Sequence, residues 1–259
     1  MTGFGAPVFD FHARLAADRH EPGALLATMD GAGISRAVVS AGGLLGLDRL
    51  SAQINDGGRA DVAADNARVH QQCSRSDGRL LPFFFADPAR DVRAYRSAAG
   101  QFRGLEVSPA VHGCRLDDPA VGELVTIAAA AGHPVYLVCL GRPGARTADL
   151  VLLAAAFPEV TFVWGHCGHT GLDVAGLAEI APVPNILAET SGCLTVTARL
   201  AVQRLGPARV LFGTEYPLQH PRVELAKADA LGLDLLDLYD FTWGNACRVL
   251  GEETTWKRS

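Results

Sequence analysis

Eight short, almost wholly apolar runs alternate with segments of helical period along this chain, and that alternation most limits the fold it can adopt. The runs are Val8–His12, Ala37–Ala41, Leu80–Phe85, Gly104–Val107, Val135–Cys139, Thr161–Gly165, Ile186–Glu189 and Val210–Gly213. Runs that are apolar at nearly every position suit parallel strands covered on both faces. Between them lie Pro22–Ala32, Asp61–Ser74, Asp91–Ala99, Asp118–Ala131, Thr147–Phe157, Leu172–Ile180, Val196–Leu205 and Arg222–Leu231, with Leu235–Leu250 closing the chain. Punctuation agrees with this reading: Pro22 opens a helix that Gly33 ends, and Asp117-Asp118-Pro119 supplies an N-cap followed by a proline at the first helical position. Repeated strand–helix units of this length predict an α/β architecture. Eight of them in 259 residues predict one (β/α)8 TIM barrel spanning residues 1–259 as a single domain. Gly42–Asp61 reads as a long irregular loop after the second strand, overhanging the C-terminal face of the barrel.

Composition excludes several roles. Lys plus Arg number 23 against 28 Asp plus Glu, a net charge of −5 with no basic block, which argues against a nucleic-acid partner. The apolar stretches are short and interrupted, so no membrane span is expected, and Met1–Val8 lacks the pattern of a secretory signal. A cytoplasmic location is the expectation. The six cysteines form no Cys-x-x-Cys pair and are expected as reduced thiols.

In a parallel barrel the chemistry sits at the C-terminal ends of the strands. His12 and Arg14 end the first strand, Glu106 and Ser108 the fourth with His112 just beyond, and Cys139 the fifth. His166 ends the sixth with His169 three residues on; Glu189, Thr190 and Ser191 end the seventh; Glu215 and Tyr216 end the eighth. Each has a structural alternative. A strand-end histidine can simply bond a loop carbonyl, Arg14 and Glu106 can pair to close a layer of the barrel, and a buried Cys139 is more often inert than nucleophilic. His133 precedes Pro134 at the opposite face, and His20 and His70 read as loop and helix-surface residues.

The ordered motifs carry a family resemblance over nearly the whole chain. Val8–Arg14 (Val-Phe-Asp-Phe-His-Ala-Arg) resembles a strand-one Asp-x-His-x-His, and Phe102–Pro109 a strand-four Gly-x-Lys-Leu-His-Pro. Gly165–Gly168 (Gly-His-Cys-Gly) is similar to a strand-six histidine motif, Leu211–Pro217 to a strand-eight Phe-Gly-Ser-Asp-Tyr-Pro, and Trp243–Gly251 to a closing Asn-Ala-x-Arg-Leu helix. The chain resembles the amidohydrolase-related barrels, the group that includes aminocarboxymuconate-semialdehyde decarboxylase. The resemblance implies a metal held by two strand-one histidines, a strand-five histidine and a strand-eight aspartate. Here those positions are His12, Arg14, Val138 and Glu215, while the strand-six histidine persists as His166. Zinc, the ion implied, would be left with His12, His166 and Glu215 as donors, beside a fixed guanidinium that repels it.

The residues thus predict a small-molecule hydrolase of esters, lactones or amides with a rewritten site. His166 or Glu215 would activate water, Arg14 would hold negative charge, and His12 would orient the substrate or a weakly held ion. Glu106, His112, Tyr216 and Glu189 would bind it. Two readings stand beside this one: a non-oxidative decarboxylase, as elsewhere in the family, and a non-catalytic ligand-binding barrel. Pairing of two chains is an expectation from the resemblance alone.

Overall fold

The computed structural model describes residues 7–16 and 22–253. Its eight strands are β1 (Phe9–Ala16), β2 (Arg36–Gly42), β3 (Leu80–Ala86), β4 (Gly104–Val107), β5 (Val135–Leu137), β6 (Phe162–Trp164), β7 (Ile186–Glu189) and β8 (Val210–Leu211). They form one sheet in sequence order, each parallel to the next. The ring closes where Phe11 N–H donates to Phe212 O (2.8 Å), Glu215 N–H to His12 O (2.8 Å) and Arg14 N–H to Tyr216 O (2.7 Å). The (β/α)8 barrel read from the sequence is the fold.

The helices are α1 (Pro22–Ala32), α2 (Leu47–Asp56), α3 (Asn66–Cys73), α4 (Val92–Ala98), α5 (Pro109–His112), α6 (Pro119–Ala131), α7 (Thr147–Ala156), α8 (Val174–Ile180), α9 (Thr195–Leu205), α10 (Pro221–Asp229), α11 (Leu235–Tyr239) and α12 (Asn245–Leu250). The stretch read as an irregular loop instead contains α2, whose Gln53 is buried and donates to the carbonyls of Ala110 and Val111. The segment expected to be helical from Asp61 begins only at Asn66, where the Asp65 side chain caps it. The closing segment is broken by a π turn at Asp240–Gly244.

Burial has two layers, as a barrel requires. Phe9, Phe11, Val38, Leu81, Phe83, Tyr136, Val163, Leu187 and Leu211 fill the lumen. Trp243, Ala246, Cys247 and Leu250, from the closing segment, pack onto this same cluster. A larger cluster, including Val39, Leu105, Phe162, Ile186 and Val210 from the strands and Leu124, Leu150 and Ala198 from the helices, fills the annulus outside. Lumen packing is tight enough that a Cβ on Gly104 would fall 2.3 Å from the Phe83 ring. With the lumen filled by side chains, the polar groups at the C-terminal ends have only one another and the rim for company.

Candidate functional site

β1 delivers the first two groups. Its pairing with β2 slips between Asp10 and Ala13, and the buried Asp10 carboxylate accepts from the backbone N–H of His12 (3.0 Å) and Thr214 (2.9 Å) and from the Thr214 hydroxyl. Asp10 thereby ties β1 to the turn after β8. Burial lifts its pKa to about 7, against the opposing effect of those bonds.

Above Asp10 the four groups expected to carry the chemistry converge. His12 Nδ1 lies 2.7 Å from Glu215 Oε2, and His166 Nε2 lies 3.2 Å from the same oxygen. Arg14 donates through Nε to Glu215 Oε1 (3.0 Å), through Nη2 to Glu106 Oε1 (2.6 Å) and through Nη1 to the Ala41 carbonyl (3.3 Å). Its guanidinium lies 5.3 Å from the Phe85 ring centroid. The His12 ring stacks on Tyr136 at 4.1 Å. Two glycines permit this density: a Cβ on Gly42 would fall 2.6 Å from Arg14 Cβ, and one on Gly213 2.1 Å from Glu189 Oε1.

The electrostatics follow from the pairing. Burial opposes the charged form of His12, but the Glu215 carboxylate beside it prevails and lifts the imidazole to about 10. Burial likewise opposes ionisation of Glu106, yet Arg14 brings it down to about 2, and His12, His166 and Arg14 hold Glu215 well below the usual carboxylate range. At neutral pH the cluster is therefore an imidazolium and a guanidinium against two carboxylates.

Glu189 is a different carboxylate. Completely buried, it accepts from Ser191 N–H (2.5 Å), the Ser191 hydroxyl (2.9 Å), the Tyr136 hydroxyl (2.7 Å) and His166 N–H (3.2 Å). It organises the site from below. His166 Nδ1 meets Ser191 O (3.2 Å) and Ser191 Oγ (3.0 Å). Because the Ser191 hydroxyl donates to Glu189, both oxygens facing Nδ1 act as acceptors, and Nε2 faces the Glu215 carboxylate. Nδ1 is thus the nitrogen that donates to Ser191. His166 (φ 59°) and Glu215 (φ 56°) both occupy the left-handed region, strain that side chains tolerate where the surroundings dictate it, most often at functional positions. With 21% of its side chain exposed, His166 is the member that reaches the rim.

The remaining expected residues fare unevenly. Buried His112, at the end of α5, packs on Phe85 (4.9 Å), the ring over which Arg14 lies, and neither of its nitrogens has a hydrogen-bond partner among the described residues. It belongs behind the cluster. Tyr216 is half-buried against the annular core, and its backbone rather than its ring pairs with β1. Glu106 binds Arg14 and is wholly buried. Cys139 is buried with its thiol pKa pushed up by desolvation, as an inert cysteine should be. His133 bonds Tyr95 just before β5, at the opposite face; His20 lies outside the described residues. Sequence reasoning missed Tyr136, and only its inward register among aliphatic neighbours on β5 could have signalled it.

A divalent metal does not fit these donors. Ligand atoms of His12, His166 and Glu189 lie within 4.8 Å of one another, but both Glu189 oxygens already accept hydrogen bonds, three of them at Oε2. The carboxylates of Glu106 and Glu215 are bridged by a guanidinium standing among them, and β5 contributes the hydroxyl of Tyr136 and the aliphatic Val138. Arg14 gives one hydrogen of each nitrogen to Glu215, Ala41 and Glu106, so its charge already faces two buried carboxylates. The four groups converge on one another rather than around an open cavity. Two cavities open among the strand-end loops: one of about 130 Å3 lined by Ala41, Gly42 and Val62 beside Arg14, and one of about 260 Å3 lined by Gly141, Arg146, Thr147, His169 and Asp173, between the loops that follow β5 and β6.

A sequence model of the amidohydrolase family matches residues 9–251. No curated relative matches the sequence. Solved structures similar to the chain include an uncharacterized TIM-barrel protein of Bordetella bronchiseptica (TM-score 0.75, 17% identity, covering 95% of this chain and 98% of that one). A 5-carboxyvanillate decarboxylase of Novosphingobium aromaticivorans, complexed with manganese and a nitrobenzoic acid, aligns with TM-score 0.71 at 15% identity over 97% of both chains. A 2,6-dihydroxybenzoate decarboxylase from Rhizobium aligns with TM-score 0.65 at 16% identity, covering 95% of this chain and 98% of that one. At these identities they share the fold.

Proposed function

The chain belongs to the amidohydrolase family, and from that membership and the charges gathered at its rim we propose that it removes carbon dioxide from a small organic carboxylate without oxidation or a metal. The observation that carries this reading is the supply of acid. His12 is held as an imidazolium 2.7 Å from Glu215, whose carboxylate in turn lies 3.2 Å from the rim imidazole of His166. Both buried carboxylates are far too acidic to be effective bases at neutral pH. A site rich in held protons and poor in base suits protonation of carbon. The C–CO2 bond breaks, its electron pair stays on carbon, the proton on His166 Nε2 is delivered to that carbon, and carbon dioxide departs. Solvent at the rim returns the proton to His166. Glu215 keeps the imidazole aimed and His12 keeps Glu215 ionised, while Arg14 supplies in fixed form the positive charge that Glu106 and Glu215 require. The remainder of the substrate is received by the 260 Å3 cavity beside His169. Decarboxylase activity among proteins of the same fold supports the assignment.

Hydrolysis of an ester, lactone or amide is the second reading. It is favoured by one observation: His166, with Glu215 at its Nε2, stands where water can reach it. A panel of hydroxylated benzoates labelled with 13C at the carboxyl group, 5-carboxyvanillate and 2,6-dihydroxybenzoate among them, tests the choice. Labelled bicarbonate formed by the metal-stripped protein is expected. Ring opening of lactones with no bicarbonate from any acid would transfer the assignment to hydrolysis.

A further inference from the structure

The ring of His166 is held by one turn, and that turn is held by two residues on a distant helix. Ser191, which engages His166 Nδ1 through both its carbonyl and its hydroxyl, sits between Thr190 and Gly192 in the turn after β7. The Thr190 and Cys193 carbonyls that flank it both accept from Lys227 Nζ, at 2.7 and 2.9 Å. The Gly192 N–H donates to Glu224 Oε1 at 3.2 Å, and Glu224 Oε2 pairs with Lys227 Nζ at 2.5 Å. Glu224 and Lys227 stand three residues apart on α10, so their side chains leave the same face of the helix.

Both are buried, at 2% and 9% exposure. A lysine ammonium has three hydrogens to give; two go to the turn carbonyls, and Glu224 Oε2 lies against the same charge. Glu224 binds the turn through one oxygen and the lysine through the other. A buried ion pair is a poor way to gain stability when apolar side chains would serve as well. Its use here follows from what it grips: a turn with Gly192 at φ +67°, whose backbone amide and carbonyls face inward and have no strand to pair with. Neither residue lines the 260 Å3 cavity, and neither contacts His12, Arg14 or Glu215.

We infer that Lys227 and Glu224 are positioning residues for His166: they fix the Thr190–Cys193 turn, and through Ser191 they set which nitrogen of His166 carries its hydrogen toward the rim and where that nitrogen points. This rests on the reading of His166 as the proton donor, but its physical content is the tautomer and orientation of a ring, which can be observed without turnover. Loss of the clamp frees the turn, lets Ser191 withdraw from Nδ1, and leaves the imidazole free to exchange tautomers.

The test is long-range 1H–15N NMR of histidine-labelled full-length protein, which reports the protonation of each ring nitrogen, applied to the wild type, Lys227→Met, Glu224→Gln and Leu225→Ala. Leu225 lies on the same helix, is buried in the annular core and carries no polar group that could bond the turn, so its truncation reports destabilisation without loss of the clamp. The expected result is a changed His166 nitrogen pattern in Lys227→Met and a smaller change in Glu224→Gln, with the wild-type pattern kept in Leu225→Ala. Should Lys227→Met fail to fold, Glu224→Gln alone decides the matter. Where decarboxylation is measurable, kcat of Lys227→Met should fall about 100-fold, as small misplacements of a reacting group do, with KM unchanged. Wild-type His166 signals in both clamp variants, with thermal stability reduced as in Leu225→Ala, would overturn the inference. A protein with no turnover but with His166 signals that follow the clamp would refute the assigned reaction and leave the inference standing.

Discussion

Replacing Arg14 with methionine should destabilise this protein far more at neutral than at acid pH. Methionine fills most of the volume of the arginine stem but removes the cation that serves two buried carboxylates, Glu106 at 2.6 Å and Glu215 at 3.0 Å. Deleting one partner of a buried ion pair costs about 3–5 kcal/mol. For a chain of this length each kcal/mol shifts the midpoint by about 2–4 °C, so the melting temperature at pH 7 should drop by about 6–20 °C. The sign of the pH dependence follows from linkage. Glu106 is depressed to about 2 in the folded wild type, from an ordinary 4.5, so its stabilisation is in place above pH 4.5 and is lost as pH falls through about 2. In the variant the same buried carboxyl, without its guanidinium, is driven upward by desolvation and folds as the neutral acid. The deficit between the two proteins therefore grows as pH rises from 3 to 7. Adding Glu106→Gln to Arg14→Met should recover part of the loss, because one unpaired charge is removed. Calorimetric melts at pH 3, 5 and 7 supply the measurement. A deficit under 1 kcal/mol at pH 7, or one independent of pH, would refute the charge-pairing account of the cluster.

Three further outcomes follow from the same geometry. His166→Ala should reduce turnover by about 100- to 10,000-fold while changing the melting temperature little, because the ring reaches the rim; turnover near the wild-type rate would remove His166 from the chemistry. Elemental analysis of purified protein should find zinc and manganese far below one equivalent, and chelator should leave the melting curve unmoved; a stoichiometric ion whose removal destabilises the protein would contradict the donor analysis. Glu215→Asp draws the carboxylate back by one C–C bond, about 1.5 Å, enough to break its contacts with His12 or with Arg14. The imidazole of His12 should then titrate well below the value of about 10 that it has in the wild type, as followed by NMR; an unchanged titration would show that Glu215 is not what holds its proton. Stability from the His12–Glu215 pair is complete below pH 6.5 and is lost as pH climbs through about 10, so the aspartate variant should differ most from the wild type on the acid side of that window.

The barrel was readable because its parallel strands, buried on both faces, leave nearly unbroken apolar runs such as Leu80–Ala86. The loop after β2 misled because α2 stands between glycines (Gly42, Gly43 and Gly46 before it, Gly57 and Gly58 after) and no side chain caps its start, so the stretch reads as loop punctuation. Strand ends pointed to one rim, and His12, Arg14, His166 and Glu215 do meet there. They failed for His112 and Tyr216 because proximity along the chain does not fix the direction of a side chain: Phe85 lies between His112 and the cluster, and the backbone of Tyr216, not its ring, closes the barrel. Glu224 and Lys227 were invisible for another reason. An acid and a base three residues apart on a helix ordinarily form a solvated surface pair, and only burial shows what this pair grips.

The changes at this rim make sense together rather than one at a time. A guanidinium at position 14 placed beside a bound divalent ion would be repelled; placed between two carboxylates with no ion it is required, since Glu106 is wholly buried and cannot remain charged alone. Glutamate at 215 has the reach to give one oxygen to Arg14 and the other to His12 and His166 at once. That double engagement needs the carboxylate presented sideways, and the left-handed backbone at 215 does so while Asp10 pins the turn through Thr214. His166, left-handed in its turn, approaches the same oxygen from across the barrel. Arg14 thus neutralises the carboxylates from within the chain, and because a guanidinium keeps its charge at any pH the protein survives, Glu106 stays ionised down to about pH 2.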